Sequence, residues 1–246
     1  MAAKLRSKES KAIINSLSGG VVPRIGVQHI TVGRKLEIEA FTSALDDVKE
    51  GHSMCKFWIG DFGSGKSFML HLLNTVATKQ KFVVANADFT PDNRLYSNDG
   101  KALALYRSIM DNVAIQSKPE GGALPTLLDK WIEQDSSLTA QSIDVSILEI
   151  REEKYYQEIE QKLMLTVNEI TDTGGFDFGI VILKYYKGYI QGDDYLKRSA
   201  LKWLKGEYTT KTEARQDLGV REIVNDLNYY DMLKNFCRLF VSIGYN

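Results

Sequence analysis

Gly60-Asp61-Phe62-Gly63-Ser64-Gly65-Lys66-Ser67 decides the reading of this chain, because it matches the pattern G-x-x-x-x-G-K-[ST] at every fixed position. Its flanks agree with it. Lys56-Phe57-Trp58-Ile59 reads as the end of a short buried strand, and Phe68-Met69-Leu70-His71-Leu72-Leu73 opens an apolar helix. A strand that feeds a glycine-rich turn and then a helix is the context in which backbone N–H groups converge on an anion. Glycines 60, 63 and 65 permit the positive-φ conformations of such a nest, and the helix beginning near Lys66 adds its free N-terminal donors and dipole. In this pattern Lys66 reaches the β- and γ-phosphates of a nucleoside triphosphate, and the Ser67 hydroxyl ligates Mg²⁺. A turn that merely lets a strand exit tightly explains neither the Lys-Ser pair nor the helix.

Composition narrows the remaining choices. The chain has 246 residues, 43% hydrophobic and 26% charged, the proportions of an ordinary globular protein of one or two domains. With 31 Lys and Arg against 32 Asp and Glu, the formal charge of −1 supplies no global basic field for nucleic acid. Cys55 and Cys237 are far apart and lack metal-ligand spacing, which fits a reduced intracellular protein without a zinc site. Apolar runs such as Phe178–Leu183 are far shorter than the roughly 20 residues of a membrane span, and no signal-type core follows the basic N-terminus. Cytoplasm is the expected compartment.

Helical periodicity dominates the rest. Helices are expected over 7–17, from Lys35 through Leu36, Ile38, Phe41, Leu45 and Val48, and from Lys66 to about Thr78. Strands are expected at about 55–59 and over Phe82–Asp88. Beyond residue 95 the pattern is almost all helix: Leu103 to Val113, a helix beginning at Leu124–Trp131, and a charged stretch over 136–173 with Ile147, Leu148, Ile150, Tyr155, Ile159, Leu163 and Val167 as its stripe. Gly174-Gly175 interrupts it. Phe176–Tyr189 favours helix over strand, and 193–206, 211–218 and Asp226–Ile243 read as further helices. Lys197, Arg198, Lys202, Lys205, Lys211, Arg215 and Arg221, with Trp203 and Tyr208 among them, offer a nucleic-acid surface. The interspersed Asp193, Asp194, Glu207, Glu213 and Asp217 favour a solvated face of mixed charge instead. The tyrosines at 155, 156, 185, 186, 229 and 230 read as helix-packing residues.

Hydrolysis by a phosphate-loop protein also needs carboxylates at the end of an apolar strand. That pattern does not occur. Asp88 follows the best apolar run, but it has no acidic neighbour and reads as a turn cap.

The irregular strap Val21–Gly26, the segment Val32-Gly33-Arg34-x-x-Glu37, the loop Gly60–Ser67 and the strand Phe82–Asp88 together resemble AAA+ ATPases. A closer resemblance is to the ATP-binding proteins of BREX bacteriophage-exclusion systems, of the BrxC/BrxD kind. Val22-Pro23-Arg24, Ala102-Leu103-Ala104-Leu105-Tyr106-Arg107, Gly121-Gly122-Ala123-Leu124-Pro125 and Ala200–Glu207 also carry it. So do Thr212-Glu213-Ala214-Arg215 and Asp226–Tyr230, so that the resemblance runs from about residue 20 to the end. It implies an α/β fold: a P-loop nucleotide-binding core of AAA+ type, an incomplete parallel sheet and a large helical insertion. The strap and first two strands would occupy 1–134 and the insertion 135–246. Val32 and Gly33 would lie near the adenine, while Arg34 either pairs with Glu37 on a helix face or touches nucleotide. In that family the helix ending near Gly244-Tyr245 leads into the strand bearing an Asp-Glu pair. This chain stops at Asn246, so the resemblance implies a fragment or short product whose two strands lack their neighbours.

The function implied is an ATP-binding, ATPase-type component of a bacterial phage-defence system. Its expected cofactors are ATP and Mg²⁺. Its expected partners are other defence-system proteins, DNA on family analogy alone, and further copies of the chain, with no membrane association. A non-hydrolysing nucleotide-dependent scaffold is the alternative, and a small-molecule kinase a third reading of the same loop.

Overall fold

The computed structural model describes residues 6–23, 26–97, 99–146, 148–171 and 175–246. Arg24 and Ile25 of the strap, Ile147 of the expected stripe and Gly174 of the glycine break lie outside them. The described chain is mostly helical, and its one sheet among these residues pairs two short strands, Val84–Ala85 (β1) and Val113–Ala114 (β2). None of the helices described is long and apolar enough to cross a membrane. The chain divides into two compact units, one of residues 1–84 with Asn246 and one of residues 85–245. The boundary at 134/135 read from the sequence falls inside a helix, Leu124–Ser142.

The first unit contains three α-helices among its described residues: α1 (Ser7–Ser18), α2 (Lys35–Lys49) and α3 (Lys66–Lys79). α2 packs on α3 because both carry apolar residues at helical spacing. Val27, Met69, Leu72 and Leu73 form one buried cluster against Ile38, Phe41, Trp58 and Phe68. Leu45, Ala77 and Phe82 form another, which also receives Phe41. Asn246 belongs here: its N–H donates to Lys81 O at 3.0 Å and its Nδ2 to Gln80 O at 2.9 Å.

The expected strand at 55–59 is not formed. The segment carries no strand ladder, and Phe57 and Ile59 are 84% and 96% exposed, although Trp58 is half-buried. An extended segment becomes a strand only where a neighbour supplies hydrogen bonds, and no described strand lies beside this one. The second expected strand, Phe82–Asp88, shrinks to β1 for the same reason, since only two of its residues find a ladder. An incomplete parallel sheet is therefore replaced by a two-residue pairing.

The second unit is a helical assembly of α4 (Lys101–Asp111), α5 (Leu124–Ser142), α6 (Tyr156–Ile170), α7 (Gly175–Gln191), α8 (Asp194–Leu204), α9 (Lys211–Leu218) and α10 (Tyr229–Ser242). α7 and α8 pack most extensively. Their backbones approach at Gly188, where a Cβ would sit 2.8 Å from Lys197 N. Trp131, Trp203, Tyr106, Tyr185, Tyr208, Phe178 and Phe236 are its largest fully buried side chains, with Phe178 and Phe236 edge-to-face at 5.4 Å.

Several helix starts are written locally. Asp193 caps α8 through Tyr195 N and Leu196 N, both at 3.0 Å, and Thr210 caps α9 through Glu213 N at 3.3 Å. α4 is capped from a distance: its own N-cap is Gly100, and Asp226 accepts from Gly100 N at 2.5 Å and Leu103 N at 2.7 Å. Two helical expectations fail in this unit. Val113 leaves the helix for β2. The stretch 136–173 is broken between Ser142 and Tyr156 by a turn and two short 3₁₀ segments, with Asp144 at φ +57°.

Candidate phosphate-binding site

The eight-residue loop is shaped by its glycines. A Cβ at Gly60 would lie 2.7 Å from Ser64 Oγ, so the Ser64 side chain would have to turn aside, but Gly60 does not take the positive φ expected of it. Gly63 and Gly65 have φ of +81° and +87°, where side chains strain the backbone. Ser64 N–H donates to Asp61 O at 3.2 Å, tightening the turn.

Gly65 is also the N-cap of α3, and it has no side chain with which to cap. The first bond across this end is Met69 N–H to Gly65 O at 2.9 Å. The N–H groups of Lys66 and Ser67, at the first two positions of α3, precede it and have no acceptor within the helix. An uncapped helix end with a positive dipole, preceded by positive-φ glycines, is a donor set suited to an anion. The residues present therefore fit a phosphate group. Lys66 is exposed at this end, and its Nζ donates to Gly60 O at 2.7 Å and Asp61 O at 2.8 Å. The ammonium is folded onto its own loop, where among the described residues it is held by two neutral carbonyls. Asp61, Phe62 and Ser67 are exposed as well.

Val32 and Gly33 make no contact with the loop among the described residues; the next residue, Arg34, does. Val32 is 86% exposed and Gly33 has open space around it. Arg34, the N-cap of α2, donates from Nη1 to Glu37 Oε1 at 2.9 Å and from Nη2 to Ser64 O at 3.1 Å. The first bond is the helix-face pair expected from the sequence, and it holds the Glu37 carboxyl below its usual range. The second was not legible, because the partners are thirty residues apart and one is a backbone carbonyl.

The remaining candidates are placed by the second unit. Asp88 is exposed. Among the described residues no cluster of three or more His, Cys, Asp or Glu could hold a metal ion. The basic residues around Trp203 are largely paired: Lys197 with Asp129 at 3.0 Å, Lys205 with Asp111 at 2.6 Å, Lys211 with Glu222 at 2.7 Å, and Lys202 with Glu213. Trp203 and Tyr208 are buried, as are Tyr185 and Tyr186. Tyr230 is exposed, contrary to its reading as a packing residue, because it lies on the outer side of α10.

No curated protein and no solved structure matches the chain. A family model described as the BREX system ATP-binding protein BrxC/D matches residues 5–246, and the chain belongs to that family.

Proposed function

We propose that the chain is an ATP-binding component of a BREX phage-defence system, and that Gly60–Ser67 is its phosphate cradle. The observation that carries this reading is the state of Lys66 at the uncapped start of α3, where its ammonium donates to the carbonyls of Gly60 and Asp61. A triphosphate offers charged acceptors in place of two neutral ones, and charge-assisted bonds are roughly twice as strong. Lys66 exchanges partners on binding, and the amides at the start of α3 receive the phosphate oxygens. Ser67 would hold Mg²⁺, which neutralises phosphate charge when bound. Val32 and Gly33 would line the adenine side, as the family resemblance implies, next in sequence to Arg34, which bonds to the loop.

The AAA+ type of core with a helical insertion, and action with other system proteins on DNA, rest on the family resemblance, and a cytoplasmic location and self-association are part of the same proposal. A second reading, a nucleotide-dependent scaffold that does not hydrolyse, is favoured by one observation. Among the described residues neither Lys66 nor Ser67 makes an ion pair or hydrogen bond with a carboxylate. Turnover of Mg-ATP by the purified chain beside Lys66→Ala separates the two. Release of phosphate that depends on Lys66 supports an ATPase, and binding without release supports the scaffold.

A further inference from the structure

Arg34 splits its guanidinium between two acceptors, Glu37 within α2 and the Ser64 carbonyl in the loop. The second contact bears on the peptide that joins Ser64 to Gly65. That peptide is trans, so its carbonyl and its N–H point in opposite directions. With the Ser64 oxygen drawn to Arg34, the Gly65 N–H is turned away from Arg34. Gly65 sits at φ +87°, and glycine populates both signs of φ, so this peptide can flip at little cost unless something holds it. Flipped, it would present a carbonyl where a phosphate needs a donor.

Resting on the phosphate-loop reading above, we infer that Arg34 is a positioning residue of that site. It clamps the Ser64–Gly65 peptide from outside so that the Gly65 N–H faces the anion. The clamp is anchored at its other end. Arg34 is the N-cap of α2, its carbonyl accepts from Ile38 N–H at 3.1 Å, and Ile38 and Phe41 of α2 pack against the cluster that includes Met69 and Leu72 of α3. The cation also polarises the peptide it holds, which makes the Gly65 N–H a stronger donor. A planar fork suits two acceptors at fixed positions, and a lysine cannot replace it in full.

The test uses tripolyphosphate and ATP, each with Mg²⁺, titrated into the full chain and into Arg34→Ala, Arg34→Lys and Lys66→Ala, with melting followed for each. Arg34→Ala is expected to weaken both ligands by the same factor, about tenfold, the worth of one charge-assisted hydrogen bond. Arg34→Lys, which keeps a donor for Ser64 O, should recover part of that loss. Melting should stay within about 2 °C of the parent, as befits a half-exposed side chain. The Gly65 amide resonance should move on adding tripolyphosphate to the parent and move much less in Arg34→Ala. Loss of ATP affinity alone, with tripolyphosphate unaffected, would mean that Arg34 touches the nucleoside and would overturn the inference. Lys66-dependent binding that ignores Arg34→Ala would overturn it while leaving the phosphate-loop reading intact. A parent chain that binds neither ligand would overturn both.

Discussion

The two units solve the same problem, satisfying backbone while burying apolar surface, by different means. In the second, helices bond within themselves, so each needs only a stripe of side chains to join the core. Trp131, Trp203, Tyr106 and Phe178 are accordingly almost fully enclosed. In the first, α2 and α3 behave likewise, but among the described residues no strand lies beside the extended segment before the phosphate loop. Its Phe57 and Ile59 remain in solvent, as does Phe62 in the loop. A helix completes itself, whereas a strand is completed by another strand. The region with the clearest chemical signature is therefore the one whose apolar residues are least covered.

This contrast can be broken most decisively at Trp203, whose ring is buried and whose Nε1 donates to Glu222 O at 2.9 Å. Trp203→Ala should cost about 3–5 kcal/mol in urea unfolding. A loss below about 1 kcal/mol would show that the helical unit is far looser than described.

Next in size is Asp135, buried on α5 with one carboxyl oxygen lacking a partner. Burial pushes its pKa up to about 6, with the Thr166 hydroxyl and Lys162 opposing and Glu169 reinforcing the shift. The folded value lies above the unfolded one of 3.8, so the stability it contributes is full below that value and is lost as pH rises through about 6. Asp135→Asn should flatten stability between about pH 4 and 6 and raise it at pH 7 by on the order of 2 kcal/mol. An unchanged pH profile would place the carboxylate in water.

Asp226→Ala removes the long-range cap of α4 and should cost about 1–2 kcal/mol, with hydrogen exchange rising first at Leu103. If Gly100 and Leu103 amides keep their protection, the cap contributes nothing. The smallest effect is the sharpest for the comparison. Phe57→Ser and Ile59→Ser, separately, should change stability by no more than about 0.5 kcal/mol, because nothing covers either side chain. A loss of a core residue's size at either one would mean that the segment is packed as a strand in solution and that the two units are alike.

Much of this was legible in the sequence because it is local. α9 is found over the residues its periodicity marked. The choice of helix for Phe176–Tyr189 holds in α7, and Gly63 and Gly65 take the positive φ their pattern demands, whereas Gly60 does not. What was hidden depends on distance or on competition. The cap that Asp226 gives α4 and the grip of Arg34 on Ser64 join residues that no window of sequence contains. The break after Ser142 was masked by an apolar stripe that stays in register across it. Asp144 adopts a left-handed conformation there, and Val145 N–H closes the turn on Ala140 O at 3.0 Å. At 55–59 the residues favour a strand, but propensity makes no ladder without a partner.

The affinity of the chain for Mg-ATP, measured by titration calorimetry beside Lys66→Ala, tests the central claim most directly. The account predicts saturable binding by the parent and a loss of at least about a hundredfold in the variant, whose melting is unchanged. Equal affinities, or a parent that does not bind, would contradict the assignment of Gly60–Ser67 as the phosphate cradle.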